Sequence, residues 1–153
     1  MALSKDLSEF VESLNSNGVE FLIVGAYAVA FHGLPRLTGD IDFLVRPTRE
    51  NVKKFRNALD DFGFDSVDFD QDQMIKPDMM LSLGNFPNRI DVLTAITGVA
   101  FEDAWQSRVE GPINGTRAWY IGYDALVTNK RATGRTKDLR DAEELEEIAK
   151  SSD

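Results

Sequence analysis

The chain has 153 residues, a net charge of −9, one histidine and no cysteine. This length suits one domain, because about 150 residues hide roughly two-thirds of their extended surface on folding. The missing cysteines exclude disulfides and thiolate metal sites, and a single histidine leaves almost nothing for a Ser-His-Asp or Cys-His mechanism. The negative charge argues against a broad basic surface for nucleic acid, so any polyanion would have to be bound by a local group of cations.

The N-terminal part predicts helices and strands in alternation. Apolar residues at helical spacing predict an amphipathic first helix: Leu3, Leu7, Phe10, Val11 and Leu14. No apolar run there is long enough for a signal peptide or a membrane span, so we expect a cytoplasmic protein without membrane contact. Residues 19–25 predict a buried strand, and residues 26–33 predict a short helix rich in alanine. Thr48 is predicted to cap a helix that runs to about Asp61 and is ended by Gly63.

The C-terminal part predicts further strands and then helices. In chain order we expect a loop or irregular edge strand at 64–78, strands at 79–84 and 88–96 separated by Gly84 to Pro87, a short helix at 100–107, a strand at 117–122, and helices at 123–133 and 137–150 joined near Gly134. This order predicts one α/β domain, of the α+β type, in which helices pack a mixed sheet. Its core would span about 19–122, and its helical C-terminal part about 123–150.

The stretch RLTGDIDFLV, residues 36–45, combines the apolar positions of a strand with two acids. Asp40 and Asp42 are two residues apart, so a strand would aim both carboxylates from one face. Like charges side by side cost free energy unless something positive lies between them. An Asp-x-Asp pair is also common on solvated strand edges, so the pair alone leaves both interpretations open.

A third acid follows in the stretch RIDVLT. Ile90 and Val92 are expected to face the core, while Asp91 points away from it. If this strand lies beside the first acidic strand, three carboxylates converge. Such a cluster is a hard-oxygen site that suits Mg²⁺ or Mn²⁺.

Residues 21–55, FLIVGAYAVAFHGLPRLTGDIDFLVRPTRENVKKF, resemble the opening of the nucleotidyltransferase superfamily with the DNA polymerase β-type palm. The likeness is greatest to small bacterial enzymes related to abortive-infection toxins. In that family a Gly-Gly or Gly-Ser turn precedes a helix and an Asp-x-Asp strand, and a third acid follows on a later strand. Gly25, Asp40, Asp42 and Asp91 match those places. Ala26 stands at the second turn position, where a serine hydroxyl contact to phosphate is lost.

Residues 129–145, NKRATGRTKDLRDAEEL, resemble the C-terminal motif of the toxin-like members, with Lys130, Lys137 and Asp138 at the matching places. Five cations fall within this stretch: Lys130, Arg131, Arg135, Lys137 and Arg140. They predict either a clamp for a triphosphate or RNA, or a salt-bridged helix surface in which Lys137 pairs with Asp141 and Arg140 with Glu144. Lys130 and Arg135 lack such local partners, which favours them as phosphate ligands.

The resemblance implies a metal-dependent nucleotidyltransferase that moves a nucleoside monophosphate from an NTP to a hydroxyl and releases pyrophosphate. Asp40, Asp42 and Asp91 would be catalytic and hold Mg²⁺ or Mn²⁺, with Asp91 also accepting the hydroxyl proton. The phosphate-binding residues would be Gly25, Ala26, Arg36, Thr38, Lys130, Arg135 and Lys137. The toxin-like relatives imply tRNA or a protein as the acceptor and an antitoxin-like partner.

Two alternatives remain on the same fold. One is a small-molecule (antibiotic) nucleotidyltransferase, for which a homodimer would complete the acceptor pocket. The other is a non-catalytic nucleotide-binding or regulatory module, which Ala26 and the small size favour. The three acids argue against that module, because binding alone does not require them.

Overall fold

The structure, a computed structural model, describes residues 2–64, 66–84 and 89–151. Within these ranges the helices are α1 (Ala2–Ser16), α2 (Gly25–Phe31), α3 (Arg49–Phe62), α4 (Phe101–Gln106), α5 (Tyr123–Thr133) and α6 (Thr136–Ser151). The strands are β1 (Phe21–Val24), β2 (Ile41–Val45), β3 (Met80–Leu83), β4 (Ile90–Leu93), β5 (Val109–Ile113) and β6 (Thr116–Tyr120). None of the described helices has the length and apolar character needed to cross a bilayer.

The described strands form one sheet in the order β3-β4-β2-β1-β6-β5. β2 pairs with β4, and β1 with β6, in parallel, while the other neighbours are antiparallel. The predicted α/β domain with a mixed sheet and C-terminal helices is therefore confirmed. The crossover that places β4 beside β2 matters most for function, because these two strands carry the predicted acids.

The core lies where α1 and α3 cover the central strands. β1 is buried along its whole length, and the buried Phe10 of α1 packs with ring centroids 5.5 Å from Phe43 on β2. The Leu3 side chain lies outside the described part of the chain. α3 has the predicted ends, because the Thr48 hydroxyl accepts a hydrogen bond from the Asn51 N–H and Gly63 adopts a left-handed φ of 105°. These local contacts fix the helix that follows the acidic strand.

The structure differs from the predicted elements in a few places. β5 was not predicted, because Gly111 and Pro112 interrupt its sequence. As an edge strand paired only with β6, it tolerates a proline that has no N–H to donate. The segment 66–78 contains no strand, so it is a loop among the residues described there. Of the interval predicted between β3 and β4, residues 85–87 lie outside the described residues.

Candidate active site

The parallel pairing of β2 with β4 brings the three predicted acids together. Asp42 and Asp91 are register partners on these strands, and Ser82 on β3 is the next partner across. Side chains of register partners leave the same face of a sheet. Asp40 lies one residue before β2. Asp91 points away from the core, as expected from its neighbours, but its side chain is only 7% exposed.

A cation between the acids comes from the chain itself. The Arg89 Nε lies 2.9 Å from Asp91 Oδ1, and its Nη2 lies 3.4 Å from Asp40 Oδ2. The Arg89 backbone N–H also donates a hydrogen bond of 3.1 Å to Asp40 Oδ1. Among the residues that the structure describes, no group of three or more histidine, aspartate or glutamate side chains has the arrangement needed to hold a metal ion. In this structure Arg89 therefore supplies the positive charge that the sequence analysis assigned to metal ions.

One arginine does not balance three carboxylates, and Asp42 shows the excess of negative charge. Burial, followed by repulsion from Asp91 and Asp40, raises the pKa of Asp42 to about 6 from an ordinary 3.8. A hydrogen bond shared with Asp91 adds to this shift, and Arg89 offsets only part of it. Burial and the charge of Asp40 also raise the pKa of Tyr27 on α2. The site therefore has a deficit of positive charge.

Gly25, the first residue of α2, sits directly against this cluster. Its φ of +68° is left-handed, and a Cβ built on it would lie 2.2 Å from Asp42 Oδ2. Any side chain at this position would therefore strain the backbone and displace the Asp42 carboxylate. The sequence places glycine where β1 ends because the backbone turns beside the acid of the neighbouring strand.

A cleft of about 550 Å³ opens beside Asp42. All seven residues predicted to bind phosphate line it: Gly25, Ala26, Arg36, Thr38, Lys130, Arg135 and Lys137. Asp40 and Asp91 are not part of the lining, so Asp42 is the member of this group that the cleft reaches directly, and Asp138 and Asp141 of α6 line the cleft as well. The structure thus joins residues from α2, the loop before β2, β2 itself, α5 and α6 around one space.

A family model described as "Nucleotidyl transferase of unknown function (DUF2204)" matches residues 3–153. The chain belongs to this family. A comparison with curated proteins found no match. Among solved structures, the fold is similar to that of an antigenic nucleotidyltransferase-like protein from Paracoccidioides brasiliensis, with a TM-score of 0.55 and 16% identity. That match covers 94% of this chain and 74% of the other, and at this identity it shows the fold alone.

In this DUF2204 member, two C-terminal cations that were expected to lack partners form ion pairs with buried carboxylates. Lys130 lies 3.3 Å from Asp138 and 3.4 Å from Asp141, and Arg135 lies 2.8 Å from Asp138. The expectation that Lys130 and Arg135 lack partners is therefore wrong. Burial alone would raise the pKa of Asp138, but the Thr133 hydroxyl and these two cations outweigh it and lower the pKa.

The local pairs expected on α6 are not formed either. Arg36 reaches Asp141 from the loop before β2, so Asp141 is not available to Lys137. Within the described residues, Lys137 and Arg140 are exposed and make no ion pair. Sequence spacing identifies only partners one helical turn away, whereas Asp141 lies 105 residues from Arg36 along the chain. Lys137 is therefore the cleft cation with a free charge.

Two residues of this DUF2204 member's candidate site were not singled out from the sequence. Arg89 lies two residues before Asp91, which puts both side chains on one face of the strand, and this spacing was the available signal. Ser82 donates a hydrogen bond of 2.7 Å to Asp91 Oδ1. No sequence signal marks Ser82, because its position depends on the pairing of β3 with β4.

Proposed function

We propose that the protein is a metal-dependent nucleotidyltransferase that moves a nucleoside monophosphate from an NTP to a hydroxyl acceptor. The observation that supports this best is the group Asp40, Asp42 and Asp91 with a deficit of positive charge, beside a cleft that four cations line together with Asp138 and Asp141. A purely structural cluster would be neutral or paired, because an uncompensated buried charge destabilises the fold.

The donor set fits Mg²⁺ or Mn²⁺, which prefer carboxylate oxygens to nitrogen or sulfur ligands. Asp40, Asp42 and Asp91 would hold the metal, and the raised pKa of Asp42 supports this, since added positive charge would relieve it. When bound, the metal would favour deprotonation of the attacking hydroxyl and stabilise the negative charge of the leaving pyrophosphate.

The cleft residues would position the NTP beside the acids. The Gly25–Ala26 turn presents backbone without a bulky side chain, so that phosphates can approach closely. Thr38 and the free charge of Lys137 would contact the phosphate oxygens, and Arg36 could join them by leaving its partner Asp141. Lys130 and Arg135 would act mainly by keeping α5 and α6 together, because their charges are already paired.

The proposed reaction is an attack of the acceptor hydroxyl on the α-phosphorus of the NTP. The acceptor oxygen bonds to the α-phosphorus, the bond from the α-phosphorus to its bridging oxygen breaks, and pyrophosphate leaves. The hydroxyl proton would pass to Asp91, the register partner of Asp42, which lines the cleft.

The acceptor that we propose is a hydroxyl of RNA, including tRNA, or of a protein, with the activity acting as a toxin controlled by an antitoxin-like partner. The test is transfer of label from each of four α-labelled NTPs into bacterial lysate with Mg²⁺, followed by separate RNase and protease digestion. Asp42→Asn is the control, since it removes the cleft-facing acid. Asp60→Asn is a matched change of charge on the exposed face of α3, far from the candidate site in the sequence.

Label that depends on Asp42 and persists in Asp60→Asn would support transfer, and the digestion that removes it would identify the acceptor class. Label on a small molecule would favour the antibiotic-type alternative, and a homodimer would be expected with it. Binding of NTP and Mg²⁺ without transfer to any fraction would refute the enzyme and support a nucleotide-binding module.

A further inference from the structure

Arg89 occupies the region between the acids that the proposed function reserves for a metal. Its Nε contacts both oxygens of Asp91, at 2.9 Å and 3.1 Å, and its Nη2 approaches Asp40. We infer that Arg89 is a built-in counter-ion that competes with the divalent cation, so that metal binding displaces its side chain from Asp91 and Asp40. This inference rests on the proposed function, because it requires a metal site at these acids.

The backbone and the side chain of Arg89 have separate roles. The Arg89 N–H donates to Asp40 Oδ1 at 3.1 Å, and the Ile41 N–H donates to the Arg89 carbonyl at 3.1 Å. These bonds join the residue to the start of β2 whatever its side chain does. The side chain is 38% exposed, so the guanidinium can withdraw toward solvent without breaking the pairing of β2 and β4. The residue is therefore anchored at its backbone and free to move at its charged end.

The Arg89 guanidinium and a bound divalent cation would exclude each other because like charges repel at short distance. The oxygens of Asp91 already accept hydrogen bonds from Ser82 and Arg89. A divalent cation held by Asp40 and Asp91 would lie within a few ångströms of the guanidinium and repel it strongly. Either cation relieves the repulsion among the acids, so removing one makes the site more favourable for the other. Arg89 would thus hold the acids in place before metal loading and set the metal concentration at which loading occurs.

The test measures Mn²⁺ affinity by electron paramagnetic resonance and calorimetry for the full chain at pH 7.5 without nucleotide. Arg89→Gln removes the competing charge. Arg49→Gln is the matched control, because Arg49 pairs at 2.6 Å with Asp72 and both side chains are mostly exposed. We expect Arg89→Gln to bind Mn²⁺ about tenfold more tightly than the wild type, by analogy with the effect of one close opposite charge on a carboxylate pKa, and Arg49→Gln to be unchanged.

Stability gives a second readout that does not depend on catalysis. In EDTA we expect Arg89→Gln to melt at a lower temperature than the wild type, because the three acids lose their counter-ion, and Mn²⁺ to raise its Tm by more than it raises that of the wild type. If Arg89→Gln does not fold, Arg89→Met keeps an unbranched side chain of similar length and removes the charge. Arg89→Met should then bind Mn²⁺ more tightly than the wild type.

The outcomes separate this inference from the proposed function. Equal or weaker Mn²⁺ binding by folded Arg89 variants, with binding still lost in Asp42→Asn, would overturn the competition while leaving the metal site in place. Absence of Mn²⁺ binding in the wild type and in all folded Arg89 variants would overturn both. Tighter binding in Arg89→Gln that Asp42→Asn abolishes when combined with it would support both.

Discussion

Replacing Asp42 by asparagine should stabilise the protein at neutral pH when no divalent cation is present. The folded-state pKa of about 6 exceeds the ordinary 3.8, so the folded chain binds this proton more tightly than the unfolded chain does. For an acid whose pKa is raised, stability falls as the pH rises from about 4 to about 6 and then stays level. Asp42→Asn removes this loss and keeps a hydrogen-bond donor toward Asp91.

The size of the gain follows from the pKa shift. A shift of about two units corresponds to an upper limit of about 3 kcal/mol at 1.36 kcal/mol per unit. Because Asp42 is partly exposed to solvent at the cleft, we reduce this to about 1–2 kcal/mol, or roughly 2–8 °C in Tm for a chain of this length. At pH 5 the wild type has lost only about half of this stability, so the gain should fall by about half.

The assay is thermal unfolding in EDTA between pH 5 and pH 8, above the pI of about 4.6. Asp138→Asn is the contrasting variant. The lowered pKa of Asp138 means that its ionised form stabilises the fold above the unfolded-state pKa, and this stability is lost only as the pH falls through the folded-state pKa. Asp138→Asn should therefore lose about 2 kcal/mol across the whole range, since Lys130 loses a buried partner. A lower Tm for Asp42→Asn at pH 7, or a gain independent of pH, would refute the reasoning.

Two further paired substitutions test the site. Gly25→Ala and Gly134→Ala impose the same backbone strain, since their φ values are +68° and +70°, but only Gly25→Ala places a Cβ against Asp42. Gly134→Ala should lower the free energy of unfolding by about 1 kcal/mol and leave Mn²⁺ binding intact. Gly25→Ala should have a Tm at least as low and lose Mn²⁺ binding in calorimetry. Lys137→Gln should keep the wild-type Tm and weaken NTP binding severalfold in a fluorescence titration, while Lys130→Gln should lower the Tm because its two carboxylate partners stay buried. Equal effects within either pair would count against the assigned roles.

The elements that the sequence predicted correctly are those governed by local contacts. α3 is bounded by a threonine cap and a left-handed glycine, and both signals lie within a few residues of the ends they determine. β5 was missed because Gly111 and Pro112 disfavour a strand locally, while pairing with β6 decides the outcome. Local propensity thus predicts the helices well and fails where a neighbouring strand supplies the stability.

The same distinction applies to the candidate site. Asp40 and Asp42 were found through their spacing, and Asp91 through its alternation with apolar neighbours. The partners of these acids depend on strand order, which places Arg89 beside Asp40 although 49 residues separate them. A single sequence shows which residues carry charge, but the tertiary fold decides which charges meet.

The cost of the acidic cluster is itself an argument for function. One amide in place of the Asp42 carboxylate should relieve its repulsion from Asp91, so nothing in the packing of the described fold requires three acids at this point. Arg89 relieves part of the repulsion, but its flexible side chain remains partly exposed. This exposure is expected of a cation that can be displaced, and it is not expected of a cation that completes a core. Charged side chains that destabilise a fold and lie beside a cleft are expected to act on a ligand. The raised pKa of Asp42 and the partial compensation by Arg89 therefore support the same proposal, in which the acids bind a metal ion.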